Sequence, residues 1–203
     1  MASTAAPYGL RAVNRVDGLP YAGETRQFLI DPAGYNTNLF YGQVVKIHTD
    51  GYINLVTETG ATGSAFPAGT IGVFVGCSYV NTQGQTVFSQ YYPANSLNAV
   101  AYIVDDDRAV FQAQADGSVT QTQLGQNMFF SAAQSGTSGT GGSTTTGNSL
   151  SALSATSQAG TAGFRLVGFV NGPFSTVGDA KTDVLVKFNI GQHSYTNATG
   201  TTT

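Results

Sequence analysis

The stretch Ile71-Gly72-Val73-Phe74-Val75-Gly76-Cys77-Ser78-Tyr79-Val80 is the longest strongly apolar run in the chain. Its β-branched and aromatic residues are typical of a buried, pleated strand. Because side chains alternate across a strand, the odd-numbered residues predict a uniformly bulky face, and the even-numbered residues predict a face of alternating small and large side chains. We therefore predict a central strand, with the opposing sheet lying close over Gly72 and Gly76.

Shorter stretches of strand character recur on both sides of this run, separated by turn residues. Asp50-Gly51 lies between two apolar-alternating runs, and glycine there accepts the positive φ that tight hairpin turns require. From 183 to 190 the apolar residues alternate with polar ones. No amphipathic helix is evident, and about ten short strands at regular spacing predict an all-β fold, a single β-sandwich or β-barrel domain.

Three parts of the chain differ in composition. Residues 1–23 contain breakers every few positions and predict an extended N-terminal arm. Residues 24–190 form the predicted β domain, and the polar residues 191–203 predict a C-terminal tail that frays.

The apolar side chains of the arm have two possible roles. They either tuck onto the core of their own domain or lie on a neighbouring subunit. The candidate contact residues for the second role are Pro7, Tyr8, Leu10, Arg11, Val13, Leu19 and Tyr21.

A long Ser/Thr/Gly-rich loop interrupts the domain at residues 134–162. Positions 135–147 contain no apolar residue, so this piece cannot bury itself and is expected to be flexible or pinned by its neighbours. Leu150 and Leu153 are the large apolar residues of the segment, and they could anchor its far end.

The composition favours a structural or binding role. Only 9% of the 203 residues are charged, against a usual value of about 25%. A surface made of Thr, Ser, Asn, Gln and Gly suits packing into a crowded assembly. The eight Lys and Arg residues form no run and the net charge is −3, which argues against nucleic acid as a partner.

The chain shows no targeting or membrane signal. The segment Met1 to Ala6 lacks the basic start and apolar centre of a signal peptide, and no run approaches the roughly 18 apolar residues of a membrane span. We expect synthesis in the cytoplasm and no membrane partner. Cys77 is the single cysteine, so it cannot form an internal disulfide, and we interpret it as a buried, inert thiol.

The residues that usually carry catalysis are sparse. A nucleophile needs a base held beside it, and the two histidines lie at a hairpin turn (His48) and in the polar tail (His193), where we expect surface or hydrogen-bonded roles. No Gly-x-Ser-x-Gly or phosphate-loop motif occurs, and one cysteine cannot supply a cysteine-based zinc site. The sequence predicts a protein that is not an enzyme, without catalytic residues, cofactor or metal.

Asp105-Asp106-Asp107 is the one concentration of charge. Calcium requires six to eight oxygen ligands, and three adjacent carboxylates could supply part of such a site. Adjacent side chains of a turn splay apart, however, and no complete calcium-loop pattern follows. We therefore favour a solvated turn over a cation site. Two carboxylates could still meet in space for glycoside hydrolysis, but the few charges and the absence of Trp argue against it.

Short pieces spread over nearly the whole chain resemble small virion proteins of tailed bacteriophages, especially marine and cyanobacterial ones. In chain order they are Ala6-Pro7-Tyr8-Gly9-Leu10-Arg11-Ala12-Val13, Gly18-Leu19-Pro20-Tyr21, Arg26-Gln27-Phe28-Leu29-Ile30, Leu39-Phe40-Tyr41-Gly42, Gly72-Val73-Phe74-Val75-Gly76-Cys77, Asp105-Asp106-Asp107 before Val110-Phe111, Thr146-Gly147-Asn148-Ser149, Arg165-Leu166-Val167-Gly168-Phe169, and Val184 to Asn189 followed by Gln192-His193.

The resemblance implies a role similar to that of capsid decoration, or cement, proteins. Such a protein binds the major capsid protein on the outer surface of the assembled head, commonly as a homotrimer, and stabilises the lattice. It implies no catalytic motif. Two alternatives stay open: a tail- or fibre-associated virion protein, and a carbohydrate-binding β-sandwich module with exposed tyrosines such as Tyr91 or Tyr92.

Overall fold

Eleven strands form two antiparallel sheets in the computed structural model, which describes residues 4–200. The strands are β1 (Arg11–Arg15), β2 (Arg26–Leu29), β3 (Val44–Ile47), β4 (Ile53–Leu55), β5 (Thr70–Val80), β6 (Thr86–Ser89), β7 (Leu97–Val104), β8 (Ala109–Gln114), β9 (Asn127–Met128), β10 (Phe164–Phe169) and β11 (Asp183–Phe188). Within these residues there is no α-helix, only 3-10 turns at Gln121–Gln123 and Ser194–Thr196. The predicted all-β fold is confirmed, as two packed sheets.

The first sheet has the strand order β1-β8-β11-β10-β9, and the second has the order β2-β7-β5-β3-β4, with β6 also paired to β5. A hydrophobic core lies between the two sheets. A second core lies on the far face of the second sheet, where loop residues such as Leu39 and Tyr92 cover it. The second sheet is thus buried on both faces over part of its width, which explains the continuous apolar sequence of β5.

The predicted central strand is present as β5, but its faces differ from the prediction. Three irregularities shift its register: one beside Gly72, one between Phe74 and Gly76, and one between Ser78 and Val80. As a result Ile71 faces the second core, whereas Val73 faces the core between the sheets. A bulge adds one residue to one strand, and every later side chain then exchanges its face.

The two glycines of β5 make room for neighbouring strands of the same sheet, not for the opposing sheet. A Cβ on Gly72 would lie 2.1 Å from the carbonyl oxygen of Val104 in β7, and one on Gly76 would lie 3.1 Å from that of Ser89 in β6. Both glycines have positive φ, 153° and 145°, which a residue with a side chain rarely adopts. The prediction of a close opposing sheet is therefore wrong.

Most of the predicted arm belongs to the domain. Residues 11–15 form the edge strand β1, paired with β8, and the Leu10 side chain is fully buried in the core between the sheets. The domain therefore begins well before residue 24, because β1 completes one edge of the first sheet. The first three residues of the predicted arm, and the last three of the predicted tail, lie outside the described residues.

The segment 134–162 is pinned to the domain instead of forming a flexible loop. Phe40 lies so close to Gly142 that a Cβ on Gly142 would be 2.1 Å from the Phe40 ring. Leu153 is fully buried, as an anchor of this segment was expected to be, and Leu150 is half-buried.

The chain after β11 is docked on the domain, so the predicted fraying is wrong for this part. Gln192 is buried, and its side-chain oxygen accepts a hydrogen bond from the amide of Phe66 at 3.1 Å. Tyr195 donates its hydroxyl to Asp105 Oδ2 at 2.6 Å. Polar side chains thus hold a segment that has little apolar surface of its own.

Candidate binding surface

Part of the second sheet extends past the core that it shares with the first sheet. In β7, Ala99, Ala101 and Ile103 point into the second core. Alternation therefore turns Val100 and Tyr102, together with Val104, toward the side of the first sheet. Val104 enters the core between the sheets, but Val100 and Tyr102 are only half-buried. The first sheet leaves this part of the face uncovered.

Four residues in register cross this uncovered face, one from each of four strands. Ser78 of β5 pairs with Phe88 of β6 on one side and with Val100 of β7 on the other, and Val100 pairs with Leu29 of β2. Phe88 is 75% exposed and Leu29 is 59% exposed. We call Phe88, Ser78, Val100 and Leu29 the cross-strand row. Apolar side chains that are exposed singly are ordinary, whereas an exposed contiguous row marks an interaction surface.

A groove separates the uncovered face from the edge strand β1. Its volume is about 640 Å³. Gly76 lies at its floor, where the missing side chain leaves room. Its lining consists of Arg11, Tyr41, Val75, Gly76, Cys77, Phe88, Ser89, Gln90, Tyr102 and Asn148.

The polar side chains of the groove are only partly used by the protein. Gln90 donates its Nε2 to Asn148 Oδ1 at 2.6 Å, which leaves one acceptor on Gln90 and one donor on Asn148. The hydroxyl of Tyr102 donates to Ser78 Oγ at 3.4 Å. Among residues 4–200, the Tyr41 hydroxyl has no hydrogen-bond partner and Arg11 forms no ion pair.

The predicted acidic turn is divided among different partners. Asp105 is buried and pairs with Arg26 at 2.9 Å, and Asp106 pairs with Arg15 at 3.1 Å. The side chains of the turn therefore splay apart, as expected for adjacent residues. The interpretation as a solvated turn is wrong for Asp105, because this residue is buried. In the part of the chain that the structure describes, no group of three or more His, Cys, Asp or Glu residues is placed to hold a metal ion.

Cys77 and His193 are both buried away from solvent. Cys77 is 1% exposed, and burial raises the pKa of its thiol to about 12, as the prediction of an inert thiol requires. His193 is also 1% exposed, which corrects its expected place in a frayed tail. Burial lowers the pKa of His193, although the nearby Asp carboxylates oppose the shift, and its Nδ1 accepts a hydrogen bond from the Tyr195 amide.

The predicted contact residues do not lie together on one surface. Leu10 is fully buried and cannot contact a partner, so its assignment as a contact residue is wrong. Tyr21 packs against the core between the sheets, and Pro7, Tyr8 and Val13 are half-buried. Arg11 and Leu19 are exposed, and of these Arg11 lines the groove.

The tyrosines considered for carbohydrate binding are not an exposed pair. Tyr92 is fully buried and its hydroxyl donates to main-chain carbonyls of the loop that covers the second core. Tyr91 is half-buried and stacks on Phe40, with 5.8 Å between ring centroids.

Sequence reasoning missed the cross-strand row and the groove. The alternation Thr86-Val87-Phe88 was the available signal for an outward-facing Phe88. It could not reveal that the sheet face beneath Phe88 stays uncovered, because that depends on how far the first sheet extends.

No helix among residues 4–200 has the length and apolar character needed to cross a membrane. Comparison with known proteins is negative throughout: no family model, no curated protein and no solved structure matches this chain.

Proposed function

We propose that this chain is a non-enzymatic virion structural protein that binds the outer surface of a phage head and stabilises the capsid lattice, as a homotrimer. The observation that carries the proposal is the cross-strand row, in which the exposed side chains of Phe88 and Leu29 flank the half-buried Ser78 and Val100 on an uncovered sheet face. The low charge of the chain and the resemblance of its segments to small phage virion proteins support the identity of the partner as the major capsid protein.

The row is suited to contact with a protein surface. Fully burying a Phe or Leu side chain stabilises a complex by about 2 kcal/mol. Leu97, which is 49% exposed and pairs with Val80 on the same face, extends the strip by one row. The two inner strands of the row, β5 and β7, are hydrogen-bonded on both sides, whereas β2 and β6 are each paired on one side only. The pairing of all four strands still limits the conformational entropy that is lost on binding.

Stabilisation of the lattice would follow from mass action. A protein that binds only the mature lattice lowers the free energy of that state and of no other. Many equivalent sites on one head then add their contributions, so a weak individual contact has a large collective effect.

The test uses heads that lack this protein and purified variants of it. Co-sedimentation measures binding, and the temperature at which the heads release DNA measures stabilisation. We expect Leu29→Asp to weaken binding by about tenfold or more, since a charge would be buried without a partner. Phe174→Asp is the matched control, because Phe174 is 82% exposed and lies on the loop before β11. Wild-type binding by Leu29→Asp would exclude the row as the contact.

A contact role of the predicted arm cannot be tested by deleting the arm. Removing residues 1–21 would also remove β1 and the buried Leu10, and the domain would be damaged. Leu19→Asp changes an exposed residue of the arm only, and loss of binding in this variant would assign the arm a contact of its own.

Imaging of labelled protein on phage particles distinguishes the head role from the tail- or fibre-associated alternative. Labelled protein distributed over the whole head supports the head role, and label confined to the tail excludes it. The mass of head-bound protein after cross-linking tests the trimer, which a ladder ending at three subunits supports.

A further inference from the structure

The groove between β1 and the uncovered sheet face combines an exposed aromatic ring, two side-chain amides with spare hydrogen-bonding capacity and one cationic side chain. Phe88 is 75% exposed at its rim. Gln90 and Asn148 offer one acceptor and one donor beyond their mutual hydrogen bond. Arg11 is the single charged residue of the lining, and its guanidinium lies over the ring of Tyr8 with 5.1 Å to the centroid. Its charge also acts on the nearby Asp183 carboxyl, where it opposes the rise in pKa that burial causes, so a ligand carboxylate would share Arg11 with Asp183.

We infer that this groove binds a short acidic saccharide, with the carboxylate of the sugar at Arg11. A volume of about 640 Å³ is within the usual range of about 300–1,000 Å³ for small-molecule sites. Neither the proposed virion role nor its partner is needed for this inference.

The lining matches the surface of a sugar. A pyranose ring presents apolar C–H faces, which stack on an aromatic face such as that of Phe88. Its hydroxyls both donate and accept, and so do the amides of Gln90 and Asn148 and the hydroxyl of Tyr41. The guanidinium of Arg11 pairs with a carboxylate in a fork geometry that a neutral sugar cannot satisfy.

An extended peptide fits the groove less well. Peptides that add to a sheet bind through free main-chain groups. The floor of this groove is Val75 to Cys77, where β5 is paired with β7 on one side and flanked by β3 and β6 on the other. Recognition at the floor therefore depends on side chains, which include aromatic, amide and hydroxyl groups. The bordering strands β1 and β6 are each paired on one side only.

The experiment measures saccharide binding by the purified full chain. Trigalacturonate is the acidic probe and maltotriose the neutral one, and an array of neutral and acidic glycans extends the search. We expect a dissociation constant of about 1 mM or lower for an acidic oligosaccharide. Binding only to a polymeric glycan would locate the ligand on a cell surface, while binding to the free trisaccharide would show that a short sugar suffices; both outcomes support the site.

Matched variants locate the binding. Gln90→Ala and Phe88→Ala should weaken it by about tenfold, and Arg11→Gln should remove the preference for acidic over neutral sugars. Phe174→Ala should leave binding unchanged, since this ring is equally exposed elsewhere. Absence of binding to every glycan, or wild-type affinity in Gln90→Ala and Arg11→Gln, would overturn the inference, as would binding of an acidic peptide alone. Leu29→Asp, which tests the capsid contact, lies outside the groove, so the two proposals can fail separately.

Discussion

The side chain of Gln134 is hydrogen-bonded to both main-chain groups of Val44, the first residue of β3. Its Oε1 accepts from the Val44 amide at 2.9 Å, and its Nε2 donates to the Val44 carbonyl at 3.3 Å. The same Nε2 also donates to the carbonyl of Val56 at 2.9 Å. The buried side-chain amide thus makes hydrogen bonds of the kind that a neighbouring strand would make. These bonds hold the segment 134–162 to the second sheet.

Gln134→Ala should lower the free energy of unfolding by about 2–4 kcal/mol, because the Val44 amide and the Val56 carbonyl would lose their buried partner. The Val44 carbonyl would keep its hydrogen bond from the Val56 amide. Urea denaturation measures this change. Gln83→Ala is the matched control, since Gln83 is exposed in the turn between β5 and β6 and should change stability by less than about 0.5 kcal/mol. Equal stabilities of the two variants would contradict the role given to Gln134.

Gly142→Ala should destabilise the protein by about 1–3 kcal/mol through overpacking. The new methyl group would meet the ring of Phe40, which is fully buried and cannot move aside freely. Gly172→Ala is the control, because a Cβ at Gly172 has no atom within 4 Å. Thermal denaturation measures the effect, and the melting temperature of Gly142→Ala should be lower than that of Gly172→Ala. A wild-type melting temperature for Gly142→Ala would refute the close packing.

The buried His193 should make stability depend on pH. Its pKa in the folded state is lowered by burial, so the unfolded chain binds more protons below the ordinary value of about 6.5. The stability contribution is fully present above that value and is lost as the pH falls through it toward the folded pKa. The slope is at most about 1.4 kcal/mol per pH unit.

The pH effect is isolated by comparing variants of the two histidines. Denaturation at pH 7.5 and pH 5.5 should show a smaller loss of stability in His193→Gln than in the wild type. His48→Gln should behave as the wild type, since His48 is largely exposed beside Asp50. The facing groups Asp105, Asp106 and Asp107 oppose the shift but do not outweigh burial, so an unchanged pH profile in His193→Gln would contradict a lowered pKa of His193.

Cys77 should be unreactive in the folded protein. With a pKa of about 12, only about one thiol in 10⁴ is ionised at pH 8, and the side chain is 1% exposed. An aromatic disulfide reagent should label no thiol in buffer and one thiol per chain in urea. Rapid labelling of the native protein would show that the second core opens readily.

The segment of β5 illustrates what could be predicted and what could not. Its apolar, β-branched residues were enough to predict a central strand, since this depends on neighbours along the chain. The bulges at Gly72 and Gly76 were not predictable, because they arise from the register with β3 and β7. The exchange of faces at Val73 followed from those bulges.

The binding surface was also predictable only in part. Arg11 was predicted as a contact residue from its place in the arm and does line the groove, but Phe88, Gln90 and Asn148 come from distant parts of the sequence and carried no common signal. Leu10, in the same short stretch as Arg11, is buried, because β1 joins the first sheet and alternate residues then face opposite ways.

The sequence alone determined that the protein is all-β, that residues 71–80 form a central strand and that charge is scarce, because these properties follow from composition and from the period of nearby residues. Only the tertiary structure decided which faces are covered. How far the first sheet extends over the second depends on long-range pairing, and this leaves the row from Phe88 to Leu29 in solvent and the groove beside Arg11 open.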